Sequence, residues 1–255
     1  GSNIDVKPFS GGVGNPRLVA KNETPLGLSF TVTNRWALEG KEGFDARLDN
    51  LRGLVGGLDT YYLVTIATKK LDVASLGDVK ARKIPLKLYT LPVGSLGELG
   101  AKQLLREYGM TYEDIRNWGG STTHQNYKII VDAFKDGRAD LLIAVVTPKH
   151  PSVTEMATFG EIKFIPLEPE RVKGLSALGY SPATMPPGTF TGQTQPVLAV
   201  GFAEWRKSAT QGTMSSAKIE AAESSFKTAS SLPNKSQDAV RAYNTIFNIL
   251  RRKIR

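Results

Sequence analysis

An α/β fold of the parallel strand–helix–strand kind is predicted by three observations. Strand-like runs alternate with amphipathic segments through most of the chain. The run Ala139–Val146 is almost wholly apolar, as a strand covered on both faces should be. Helix-start signals also recur just behind strand ends, with Ser95 three residues before Glu98, Thr122 three before Gln125, and Pro169 opening a later segment.

In chain order, Asn3–Phe9 reads as a strand. A glycine turn over Ser10–Gly14 follows, and then a helix with Asn15 as its cap and Pro16 in its first turn. Leu26–Phe30 reads as a short strand leading through Thr31–Asn34 into a helix that includes Trp36. Tyr61–Thr68, rich in Tyr, Val, Ile and Thr, is the strongest strand of the first third. One turn of helix is expected over Ser75–Val79, and a strand over Ile84–Leu91. From Ser95 a helix runs to a stop at Gly109. Behind the Thr122–Gln125 box, a helix repeats Tyr127, Ile130, Val131 and Phe134 at helical spacing, which marks a core face. Lys163–Leu167 and Val197–Phe202 supply the last strands. Ala203–Gly212 reads as a linker, Lys218–Ser231 as a weak helix, and Ser236–Arg255 as an amphipathic helix with Val240, Tyr243, Phe247, Leu250 and Ile254 on one stripe.

At 255 residues the chain is long enough for one large domain or two smaller lobes. No apolar run approaches the ~20 residues a bilayer-spanning helix needs. Zero cysteines rule out disulfides, thiolate metal sites and a cysteine nucleophile, and two histidines make a histidine-rich metal centre improbable. The net charge of +9 is concentrated, because Lys235–Arg255 holds six basic residues against Asp238 alone. Aromatics do not interleave with the basic residues, so a nucleic-acid partner is not implied.

Five junctions pass from a strand end through a Gly, Ser or Thr loop into a helix start: Ser10–Asn15, Thr31–Asn34, Pro92–Ser95, Gly119–Thr122 and Thr147–Ser152. At such a junction unpaired amide N–H groups and the positive helix end face one point, and open α/β sheets line these points along one crevice. No phosphate loop, dinucleotide glycine fingerprint or Gly-x-Ser-x-Gly elbow occurs, and the acidic residues are scattered singly. The pattern is one of binding without acid–base catalysis, and no cofactor or metal is implied.

Asn15–Ala20, Pro25–Ser29, Val93-Gly94-Ser95, Phe134–Asp140 and above all Pro182–Gln193 resemble the TAXI family of solute receptors, which serve TRAP transporters. The resemblance spans roughly Asp5 to Val200. It implies a non-catalytic two-lobed receptor of the type 2 periplasmic binding protein kind, its lobes joined by a two-crossing hinge. Residues 1–83 and 197–255 would form the first lobe and 84–196 the second, with crossings near Lys83 and Val197. The family's opening strand–loop–helix unit has no counterpart here. Gly1-Ser2 reads as the remnant of a cleaved tag, which leaves room for a removed leader and fits a periplasmic or extracytoplasmic location.

What the resemblance further implies is a small organic acid or amino acid as ligand, the membrane components of a TRAP transporter as partner, and a monomer. Its site would consist of Thr33-Asn34, Gly94-Ser95, Gly120-Ser121, Thr147 and His150. Lys149 stands where the family has glycine, so a side chain is added beside the cleft. A ligand-sensing or adaptor protein, or an enzyme, on the same bilobal fold are the alternatives.

Overall fold

In this computed structural model the described residues are 11–53, 60–159 and 161–202. Gly1–Glu204 makes one compact unit, and the second unit, Trp205–Arg255, lies outside the described residues. So do the strand expected over Asn3–Phe9 and the helices expected over Lys218–Ser231 and Ser236–Arg255.

The first helix, α1 (Gly11–Ala20), begins where a glycine turn was expected and carries Pro16 inside it. Local contacts offset that unfavourable composition. Pro16 has no N–H for the Gly12 carbonyl four residues back, and the Ser29 hydroxyl donates to that carbonyl instead, at 2.9 Å. A Cβ on Gly12 would sit 2.2 Å from the Phe30 ring, so only glycine allows the two segments to close. Asn15 is not the cap; its side-chain amide donates to the Leu28 carbonyl at 2.7 Å. That contact holds Leu26–Phe30 extended outside the sheet rather than as a strand within it. Helix α2 (Thr31–Glu39) follows and ends at Gly40, in the left-handed region.

Among the described residues one seven-stranded mixed sheet forms. Its strands are β1 (Tyr62–Thr68), β2 (Lys87–Thr90), β3 (Ser121–His124), β4 (Leu141–Val146), β5 (Ile162–Ile165), β6 (Ser181–Met185) and β7 (Val197–Gly201). The order is β3-β2-β4-β1-β7-β6, with β5 pairing the far half of β1 beside β7. Strands β2, β3 and β4 are parallel, whereas β1 runs antiparallel to β4 from Tyr62 opposite Val146 to Ala67 opposite Leu141.

The α/β class therefore holds, but the expected crossings at Lys83 and Val197 do not. They would assign β1 and β7 to a different lobe from β4, and both belong to the same sheet as β4. The reason is burial. Six of the seven residues of β1 are buried, so the strand needs partners on both sides and helices on both faces.

Alternate residues of β1 and β4 feed two cores. Leu63, Ala67, Leu141, Ile143 and Val145 face α4 (Leu96–Glu107), α8 (Pro169–Ala177) and the α1–α2 segment. Val64, Ile66, Leu142, Ala144 and Val146 face α6 (Tyr127–Lys135) and α7 (Pro151–Thr158). The short helices α3 (Leu76–Arg82) and α5 (Tyr112–Asn117) each open on a reciprocal capping box, Ser75 with Asp78 and Thr111 with Asp114. Trp36 locks α2 to the body: it is 1% exposed, its indole N–H donates to the Leu178 carbonyl at 2.6 Å, and its ring meets Tyr180 edge-on.

The expected box at Thr122–Gln125 is absent. Its two threonines sit in β3, where β-branched residues pair well with β2, and Asn126 caps α6 by accepting from the Ile129 N–H at 3.1 Å. Strand β6 contains Pro182, which a sheet tolerates at an edge.

Candidate functional site

Because β2, β3 and β4 are parallel, they finish at one end of the sheet, the carboxyl edge. A helix starts from each finish: α4 after β2, α6 after β3 and α7 after β4. Amide N–H groups at helix starts lack intrahelical acceptors and carry the positive end of the helix dipole, so this edge favours anions.

Four of the expected site residues stand here. Gly94, with φ 84°, turns the chain into α4, and a Cβ there would meet nothing within 4 Å. Ser95 caps α4 by accepting from the Glu98 N–H at 3.2 Å. The reciprocal half of its box does not form, because Glu98 pairs with Lys102 at 2.7 Å. Capping uses a lone pair on the Ser95 oxygen, so its O–H proton stays free to donate. Thr147 and His150 bracket a tight turn in which the His150 N–H donates to the Thr147 carbonyl at 3.1 Å. The His150 ring lies 4.3 Å from that of Tyr127, and its Nδ1 is buried without a hydrogen-bond partner among the described residues. Burial lowers the His150 pKa below the ordinary imidazole value, which favours a neutral ring.

The other four do not join them. Gly120 precedes β3 and Ser121 opens it, and the parallel register sets Ser121 beside Lys87 at the start of β2. They therefore lie ~10 Å away at the opposite end of the sheet, at ~3.3 Å per residue. Gly120 has a packing role instead, since its Cβ would fall 2.4 Å from the Leu86 carbonyl oxygen. Thr33 is fully buried inside α2. Its hydroxyl lies 2.8 Å from that of Ser29, accepts from the Phe30 N–H at 3.2 Å and donates to the Phe30 carbonyl at 3.0 Å. Asn34 is half-buried one position further along the same helix.

Three residues missed in the sequence also belong to the edge. His124 ends β3 with its ring 5.4 Å from Tyr112 and an unpartnered, buried Nδ1 among the described residues. Asn126 caps α6. Tyr127, whose helical spacing suggests core, opens α6 and donates its hydroxyl to the Val145 carbonyl. Tyr61, which acts on Tyr127 electrostatically, belongs to a ring cluster where β1 enters and β7 leaves, with Phe30 4.9 Å from Tyr61 and 5.4 Å from Phe202. The signal for Tyr127 was Asn126, a cap residue immediately before it.

A sheet edge lined by helix starts, a half-buried histidine and aromatic rings has the donors to hold a small anionic solute, and the family match below puts the chain among periplasmic solute-binding proteins. The NMT1-like family model matches residues 2–211, and the chain belongs to that family, whose members are binding proteins rather than enzymes. Homologous periplasmic binding proteins are extracytoplasmic, and no described helix is long and apolar enough to cross a membrane. Among solved structures, the chain is similar to the alkanesulfonate-binding protein SsuA from Xanthomonas axonopodis pv. citri bound to MOPS. The TM-score is 0.39 and the identity 12%, over 94% of this chain and 66% of that one. The chain thus spans just under two thirds of that protein. Comparison with curated proteins gave no significant match.

Proposed function

We propose that this chain is a receptor that takes a small carboxylate-bearing solute at the carboxyl edge and hands it to a membrane transporter of the TRAP type. The observation that carries the reading is the start of α4, α6 and α7 along one edge. The carboxylate would accept from the Ser95 hydroxyl and from the amides that open α4, with Thr147 and the His150 imidazole on its other side. The Tyr127 ring would cover the apolar part of the solute. The TRAP partner rests on the resemblance of Pro182–Gln193 to the TAXI receptors.

Calorimetry tests this with acetate, pyruvate, succinate, glutamate and methanesulfonate on the parent protein and on His150→Ala. Binding of at least one carboxylate is expected, weakened ~10- to 100-fold in the variant, as loss of a hydrogen bond to a charged group implies. Heat from methanesulfonate alone would overturn the carboxylate assignment, and equal affinity in the variant would overturn the site.

A further inference from the structure

Beside the Thr147–His150 turn lies a recess of about 350 Å³, lined by Lys149, Pro151, Thr154 and the loop Gly188–Thr191. The solute-binding reading does not use it. One wall is the loop after β6, the part of the Pro182–Gln193 motif that carries no role at the carboxyl edge. This loop is held rigid from within. The buried Gln193 amide donates to the carbonyls of Pro186 at 3.0 Å and Gln195 at 2.9 Å, and its oxygen accepts from the Phe190 N–H at 3.3 Å. The Gly188 N–H donates back to the Gln193 carbonyl at 2.8 Å, and the Phe190 ring stacks on Phe164 at 5.3 Å.

The other wall carries the charge. Lys149 has φ 58° at the second central position of a turn whose first is Pro148, a place where glycine is favoured. Holding a lysine there sets a cation on the rim of the recess. Around it, the Thr154 and Thr191 hydroxyls can donate, whereas the Thr189 proton is committed to the Pro186 carbonyl at 2.7 Å. Among the described residues no acidic side chain lines the recess, and Pro151 and Phe190 supply its apolar surface.

We propose that this recess is a second binding site for a small organic anion, with the carboxylate on Lys149 and its flanking hydroxyls and a compact apolar body against Pro151 and Phe190. The recess shares the Thr147–His150 turn with the site at the carboxyl edge but offers a different set of donors, Lys149, Thr154 and Thr191.

The test is amide NMR titration of the whole chain with benzoate and with acetate, probes of equal charge that differ in apolar body. Benzoate is expected to shift the amides of Thr154 and Gly188–Thr191 with millimolar half-saturation, and acetate to do so more weakly. In Lys149→Gly, binding at these amides should fall about tenfold or more while the fold is kept, since glycine suits the left-handed φ. Thr191→Val should weaken it several-fold. Benzoate shifts that persist unchanged in Lys149→Gly overturn the proposal. So do shifts confined to Gly94–Leu96 and Tyr127, which would instead support the carboxyl-edge site alone.

Discussion

The rings of Tyr127 and His150 lie 4.3 Å apart with planes inclined by 40°, which joins the start of α6 to the cap of α7 across the carboxyl edge. The contact buries the imidazole and disfavours its charged form. A histidine whose folded pKa is depressed leaves stability intact above the ordinary imidazole pKa. Stability then falls as pH drops from that value through the folded one. NMR titration is expected to place the His150 midpoint below that of a model histidine, and His150→Gln should flatten the loss of Tm between pH 7 and pH 5. A midpoint at or above that of free histidine would contradict this.

Gly120 and Gly94 are expected to respond differently to alanine. At Gly120 the new Cβ would press on the Leu86 carbonyl oxygen at 2.4 Å, forcing β2 and β3 apart at their start. The expected loss is about 1–3 kcal/mol in chemical denaturation. At Gly94 there is open space and only the positive φ resists, so about 1–2 kcal/mol is expected, with any ligand affinity changed as well.

Trp36→Ala removes a fully buried ring, its hydrogen bond to Leu178 and its contact with Tyr180. A loss of about 3–5 kcal/mol is expected. Trp36→Phe keeps most of the volume and should lose less, so a melting comparison of the two separates packing from the hydrogen bond.

How much of this was legible in the sequence follows from the range of the interactions involved. Ser95 and Pro169 marked their helices correctly because capping and ring geometry act within one turn. Thr122–Gln125 has the residues of a cap, yet pairing with β2 thirty-odd positions earlier prevailed. The Gly12–Phe30 contact that stabilises α1 is likewise nonlocal. The loops Gly94–Ser95 and Thr147–His150 were readable as edge groups because each follows a strand. Gly120–Ser121 was misplaced because β3, which opens at Ser121, went unrecognised, and the start of a parallel strand lies at the wrong end.

Gln193→Leu would keep the volume of a side chain that is 8% exposed but strip the donors that hold Pro186 and Gln195. About 1–3 kcal/mol should be lost. Hydrogen exchange should rise at Gly188 and Phe190, whose amides this loop protects. Unchanged exchange there would show that the loop is held by Phe190 stacking alone.

The pairing of β1 with β4 sets an order of events for the folding chain. Tyr62 and Val146 are neighbours in the sheet although about eighty residues separate them in sequence. Closing so long a loop costs entropy before any contact repays it, so β1 must wait for β4. During synthesis at ~5–20 residues per second, its apolar run stays unpaired for seconds after it is made, and in that interval a chaperone or another chain can reach it.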